Sequence, residues 1–359
     1  MQFTRQKANA GTFSEFEVEL ANRNSGMPLE TLEHDITPIG QHYVLTHFDI
    51  PSLKESEYIL SFTGKFSNPF ALTYSEIKNL PAETISVTLE CAGNGRAHFD
   101  QRSASMPWGY GAVGTSEWTG TRLKPLLGKA GLDKNVVSVS FTGADRGYDS
   151  GHEHQFARSL TKAQLEELDI LLVYEMNEMP LLPQHGAPLR LIVPGWYGMA
   201  SVKWLAEIQA LDKPFDGHQQ MGTYRIRNRQ EDVGEPITTM RVKSLMKPPG
   251  IPDWASRKRI VPPGLIPIEG RAWSGGGKQI TKVEVLLDGD WLEAELESQV
   301  SRYAWTKWKI NWLAAPGYHI LSCRATDENG DVQPESPKPN VGGFENNAIQ
   351  KIEVFVKDF

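Results

Sequence analysis

Cysteine is the scarcest reactive residue here: 359 residues contain two, Cys91 and Cys323. Two thiols exclude a disulfide framework, and no CxxC or haem-attachment pattern occurs. The chain also lacks any apolar run approaching the roughly 18 residues of a membrane span. It has no basic excess: 37 Lys and Arg against 44 Asp and Glu give a net charge of -7, which argues against nucleic acid as the main partner. Regular βαβ alternation is missing, so a doubly wound dinucleotide fold is not supported. Residues 1–5, Met-Gln-Phe-Thr-Arg, carry neither a twin arginine nor an apolar core segment. The expectation is a cytoplasmic protein, or a periplasmic one if an export signal was removed.

The length suggests two domains, with a boundary at 235/236. Residues 1–235 mix strands and helices in an α+β pattern. Strands are expected at Ser86–Cys91, Val136–Thr142, Ile170–Met176 and Leu189–Pro194. Helices are expected at Arg122–Ala130 and Leu160–Leu168, the latter opened by a Thr161/Gln164 capping box. Gln230–Asp253, with Lys247-Pro248-Pro249-Gly250, reads as a linker. Residues 236–359 then read as strands, including Lys282–Leu287 with the turn Asp288-Gly289-Asp290, Trp305–Trp312 and Tyr318–Ala325. Short strands at that spacing suggest an immunoglobulin-like β-sandwich. Its Trp305, Trp308 and Trp312 are expected to serve its core and a dimer contact.

Two parts of the chain carry chemistry, and a third invites a metal reading. Ile85, Val87, Leu89 and Cys91 share one parity of a strand that delivers a thiol onto Ala92-Gly93-Asn94-Gly95-Arg96. A thiolate is a soft metal ligand, and a nearby arginine favours its formation. Gln184–Gly195 and Ala200–Leu205 concentrate His185, Arg190 and Lys203 among glycines, a donor set suited to a phosphate-bearing ligand. His152-Glu153-His154 places two imidazoles on alternate strand positions; a solvated strand face accounts for them better than a metal pair.

The cysteine loop and the His185–Lys203 run, with further runs, resemble the sulfite oxidase family of molybdenum-cofactor enzymes. The matching runs are Cys91–Arg96, Gly111–Gly120, His185–Lys203, Trp273–Gly277 and Cys323–Pro334, in family order along nearly the whole chain. The resemblance implies a molybdopterin-binding domain followed by an immunoglobulin-like dimerisation domain. It implies Cys91 as the molybdenum ligand, with Asn22, Arg23, Asn24, Ser25, Gly26, Asp145, His185, Arg190, Ser201, Val202 and Lys203 holding the cofactor. Arg23, Arg96, Trp108 and Tyr224 are implied at the substrate. Ser25 stands where much of the family has histidine, and Gly342 where animal enzymes have an anion-binding arginine.

The activity so implied is oxidation of sulfite to sulfate by oxygen-atom transfer. No haem or flavin domain is expected, so electrons would pass to an external acceptor, a cytochrome-like protein or oxygen. The alternative is a reductase of nitrate or S-oxides, or a dehydrogenase of another sulfur compound. An arginine introduced at Gly342 is expected to improve the KM for sulfite.

Overall fold

The computed structural model describes residues 15–100, 103 and 105–358; residues 1–5, read above for an export signal, lie outside these. Among the described residues the first domain opens with α1 (Glu15–Arg23), and its two main sheets use ten strands. These are β1 (Ile59–Gly64), β2 (Phe70–Thr73), β3 (Glu83–Glu90), β4 (Val113–Arg122), β5 (Ser138–Asp149), β6 (His152–Thr161), β7 (Leu171–Met176), β8 (Met179–Pro180), β9 (Arg190–Ile192) and β10 (Leu205–Leu211). One sheet runs β2-β1-β10-β5-β6, and only its β1–β10 pair is parallel. The other runs β3-β4-β7-β8, with β9 against β7.

Helices are short and placed by local signals. α2 (Tyr74–Lys78) starts at a Thr73/Glu76 capping box. α3 (Leu123–Ala130) buries Leu123, Leu126, Leu127 and Ala130 and stops at Gly131, whose φ of 69° suits a residue without Cβ. α4 (Lys162–Glu167) has the expected reciprocal Thr161/Gln164 cap.

The C-terminal domain is a sandwich. One sheet pairs Lys243–Met246, Gly264–Trp273, Thr306–Ala314 and Glu295–Leu296. The other runs from Ile251–Pro252 through Arg259–Val261, Gln350–Val356, Gly317–Asp327 and Ile280–Leu287 to Asp290–Glu293. Cys323 lies in its core, as its strand pattern suggests. The dimer-contact expectation for the tryptophans is corrected: Trp305, Trp308 and Trp312 are all buried inside the chain. Their indole N–H groups donate to the Asp35 carbonyl, Ser244 Oγ and Asp288 Oδ2.

The linker reading of Gln230–Asp253 also needs correction. Lys243–Met246 is a wholly buried strand. Its lysine is inside because Nζ meets Glu90 Oε1 at 2.9 Å across the domain boundary. The same packing changes β3, where alternation suggested one buried face. Thr88 and Glu90, on the opposite parity, are buried too, since the Thr88 N–H donates to the Tyr303 carbonyl and Glu90 faces the sandwich.

Candidate active site

β3 ends at Glu90, and the Cys91 loop is then fixed by its own backbone. Cys91 N–H donates to the Ala112 carbonyl at 2.9 Å, and Asn94 N–H to the Cys91 carbonyl at 2.9 Å. Asn94 bridges onward: its Oδ1 accepts from Ala112 N–H and its Nδ2 donates to Glu90. The Arg96 guanidinium folds directly over Gly93, where a Cβ would overlap it. It donates to the Gly342 carbonyl at 3.0 Å and the Met106 carbonyl at 2.9 Å.

Burial pushes the Cys91 thiol pKa up, and Arg96 together with the Gly93 backbone pulls it back. The Trp108 indole N–H, buried without a partner of hydrogen-bond length, also lowers it from nearby. The site therefore leans on an arginine to favour thiolate in a dry setting.

Cys91 opens into a cleft lined also by Asp145, His185, Arg190, Ser201, Lys203 and Tyr224. β9 and the segment after it supply the cationic groups. Arg190 donates to the carbonyls of His185 (2.9 Å) and Ser201 (3.1 Å), and Lys203 Nζ to those of Leu45 (2.8 Å) and Gln184 (2.9 Å). Burial, then repulsion by Arg190, drops Lys203 to about 7, although Asp145 opposes this. His185 falls to about 3 through burial and the charges of its neighbours. Burial raises Asp145 to about 6 against the pull of Lys203. Cationic groups so crowded and dry are ready for an anion, which would restore their charge.

In the same cleft, Tyr224 Oη lies 2.7 Å from His47 Nε2, and the Arg158 guanidinium sits 5.6 Å from the Tyr224 ring centre. Phe344 packs on both Tyr224 (5.5 Å) and Arg96 (5.0 Å).

Residues 47–219 match a molybdopterin-binding oxidoreductase domain model, and residues 235–357 match a molybdenum-cofactor oxidoreductase dimerisation domain model. A mitochondrial sulfite oxidase of Macaca fascicularis is 32% identical over 93% of this chain and 64% of its own length. The chain belongs to the sulfite oxidase family.

An NADH nitrate reductase of Oryza sativa subsp. japonica is 33% identical over 93% of this chain and 40% of its own length. The sulfane dehydrogenase SoxCD of Paracoccus pantotrophus aligns with a TM-score of 0.79 at 25% identity, covering 98% of this chain and 92% of that one. The chain thus spans about two thirds of the length of the mitochondrial sulfite oxidases it matches. Among the described residues no helix is long and apolar enough to cross a membrane.

The family's molybdenum cofactor fits the groups present. His42 Nε2, His185 Nε2 and Arg190 Nε are buried polar atoms without partners, and all three residues line the cleft. Such orphans are costly unless a ligand satisfies them. One soft sulfur and a cationic cluster in the same cleft match a metal joined to a phosphate-bearing group.

Not every implied residue reaches this cleft. Asn22, Arg23, Ser25 and Gly26 are exposed, and Arg23 donates to the Phe48 carbonyl at 2.6 Å with Asp49 3.7 Å away. Asn24 is buried and accepts from Thr46 N–H at 2.7 Å, while Ser25 pairs with Val44. This segment therefore positions the His42–His47 loop, which lines the cleft. Val202 acts through its backbone, its carbonyl accepting from Leu191 N–H, with its side chain in the core. Arg96 and Trp108 stand behind Cys91 rather than in the cleft wall.

His42, Tyr43, His47, Arg158 and Phe344 went unremarked in the sequence. The available signals were two histidines in the apolar run His42–His47, and an arginine on the buried face of Phe156–Leu160.

Proposed function

We propose that the chain oxidises sulfite to sulfate at a molybdenum centre ligated by Cys91, passing electrons to an external acceptor and working as a homodimer through residues 235–357. The convergence of the Cys91 thiol, the Tyr224 hydroxyl and the cationic His185–Arg190–Lys203 cluster on one cleft carries this reading. The bound cofactor supplies oxygen-atom transfer and takes up the electrons.

The chain's own residues do the rest. Cys91 gives the thiolate, which a metal holds deprotonated despite burial. Arg96, forked and permanently charged, offsets negative charge at the thiol. Tyr224, held by His47, orients a hydroxyl donor toward a substrate oxygen. Asp145, His185, Arg190, Ser201 and Lys203 hold the pterin and its phosphate. The cationic interior lets a net-acidic protein draw in an anion.

Molybdenum analysis beside anaerobic reduction by sulfite tests this. Wild type should carry stoichiometric metal and be reduced by sulfite. Cys91→Ser should lose turnover while retaining its melting temperature, and undiminished sulfite oxidation by that variant would refute the assignment.

A second reading, dehydrogenation of a sulfane-type sulfur compound, draws on the likeness to SoxCD and on Gly342. Phe344, beside that glycine, presents an apolar ring to Arg96 where a further cation would favour an oxyanion. Faster reduction by a small persulfide than by sulfite would favour this reading.

A further inference from the structure

The β5–β6 hairpin and the turn leading into Tyr224 assemble a donor set outside the cleft. Asp149 ends β5, His154 lies on β6, and His218 begins the turn Gln219–Thr223. One donor atom from each lies within 4.8 Å of the others. His218 Nε2 is 2.9 Å from Asp149 Oδ2, and the two imidazole rings are 4.8 Å apart. The His152 and His154 pair, set aside as a metal site in the sequence, is split in the fold. His154 joins Asp149 across the hairpin and the more distant His218, and Glu153 instead pairs with Arg146.

We propose that Asp149, His154 and His218 bind a divalent transition-metal ion of the zinc class, clamping the β5–β6 hairpin to the turn that carries Tyr224. Two imidazoles and one carboxylate are the three-ligand set such ions take with an open position. Bonds of about 2.0–2.2 Å to one ion bring tetrahedral donors to roughly 3.5 Å apart. The set closes by about 1 Å of side-chain rotation, which half-exposed groups allow.

The surroundings hold the ligands in place. The Phe48 ring packs edge-on against His154 at 5.4 Å, and the His154 Nδ1 side faces the His152 carbonyl at 3.3 Å. Gln219 is buried, and its backbone carbonyl accepts from Arg158 at 2.6 Å. Its side-chain amide reaches His154 Nε2 at 2.7 Å. A half-turn of that amide offers its oxygen as a fourth donor. The ion would also sit near the chemistry, since Asp149 acts electrostatically on His47, the partner of Tyr224.

The test is Zn²⁺ titration of the cofactor-loaded protein after chelator treatment, read by calorimetry and elemental analysis. One Zn²⁺ per chain beyond molybdenum is expected, with Co²⁺ in its place giving tetrahedral visible absorption. His154→Gln and His218→Gln should each weaken Zn²⁺ binding by at least about tenfold, the smallest loss usual even for an outer partner of a ligand. Asp149→Asn, at the exposed hairpin end, should do the same if the histidine variants fold poorly, while His152→Gln should bind like wild type. No saturable Zn²⁺ binding by wild type, or equal affinity in all variants, would overturn the proposal.

Discussion

Lys243→Met should be among the most damaging single changes outside the cleft. Lys243 and Glu90 have side chains 1% and 2% exposed, with Nζ and Oε1 2.9 Å apart. Glu90 also accepts from Trp273 Nε1 at 2.9 Å and from Asn94 Nδ2 at 3.0 Å. Methionine fills the lysine's volume but leaves a buried carboxylate without its counter-charge, which costs about 3–5 kcal/mol. At roughly 2–4 °C per kcal/mol for domains of 150–250 residues, the melting temperature should fall by about 6 °C or more. The double variant Glu90→Gln/Lys243→Met removes both charges and should recover much of that loss, because replacing a buried pair is often close to neutral. Urea unfolding of the four proteins gives the coupling directly. A single variant within about 1 kcal/mol of wild type, well below the loss expected of a broken buried pair, would refute the reasoning. So would a double variant no better than the sum of the singles.

Lys203, held to about 7 in the fold against an ordinary lysine value near 10.4, makes the ligand-free protein gain stability as pH rises from 7 to about 10. Over that window the unfolded chain holds the extra proton, and below it both states do. Pyrophosphate binding at pH 8 should accordingly take up as much as about one proton per chain. Calorimetry in buffers of different ionisation enthalpy measures this, and Lys203→Met should abolish it. The expected gain in sulfite affinity from Gly342→Arg needs revision, since a Cβ there overlaps the Phe344 ring. Alone it should cost about 1–3 kcal/mol through overpacking without lowering the sulfite KM; combined with Phe344→Ala it should lower the KM. Steady-state kinetics of the two variants tests both statements.

What the sequence revealed about the site was mostly local. Cys91, Gly93 and Arg96 lie within six residues, and their chemistry depends on one turn. The Thr161/Gln164 cap was legible because both partners sit in one helical turn. Burial of Glu90 and Lys243 was not, since each looks like a solvated charge until the other arrives from 153 positions away. The His42–His47 loop and Arg158 were hidden for the same reason: they meet Tyr224 only through sheet packing. Asn22 and Arg23 show the converse. The motif match suggested direct contact with the cofactor, whereas the fold uses the neighbouring Asn24 and Ser25 to hold another loop in place.

The bracing of the Cys91 loop by residues 342–346 has a consequence for how the enzyme is made. Arg96 binds the Gly342 carbonyl, Glu345 N–H the Ala92 carbonyl, and Asn346 Nδ2 the Gly95 carbonyl at 2.8 Å. These residues leave the ribosome some 250 positions after the cysteine, by which time an N-terminal domain has had time to fold. The thiol loop is therefore finished by residues synthesised long after it. A chain that stalls or is clipped before them leaves the cysteine loop without these three hydrogen bonds.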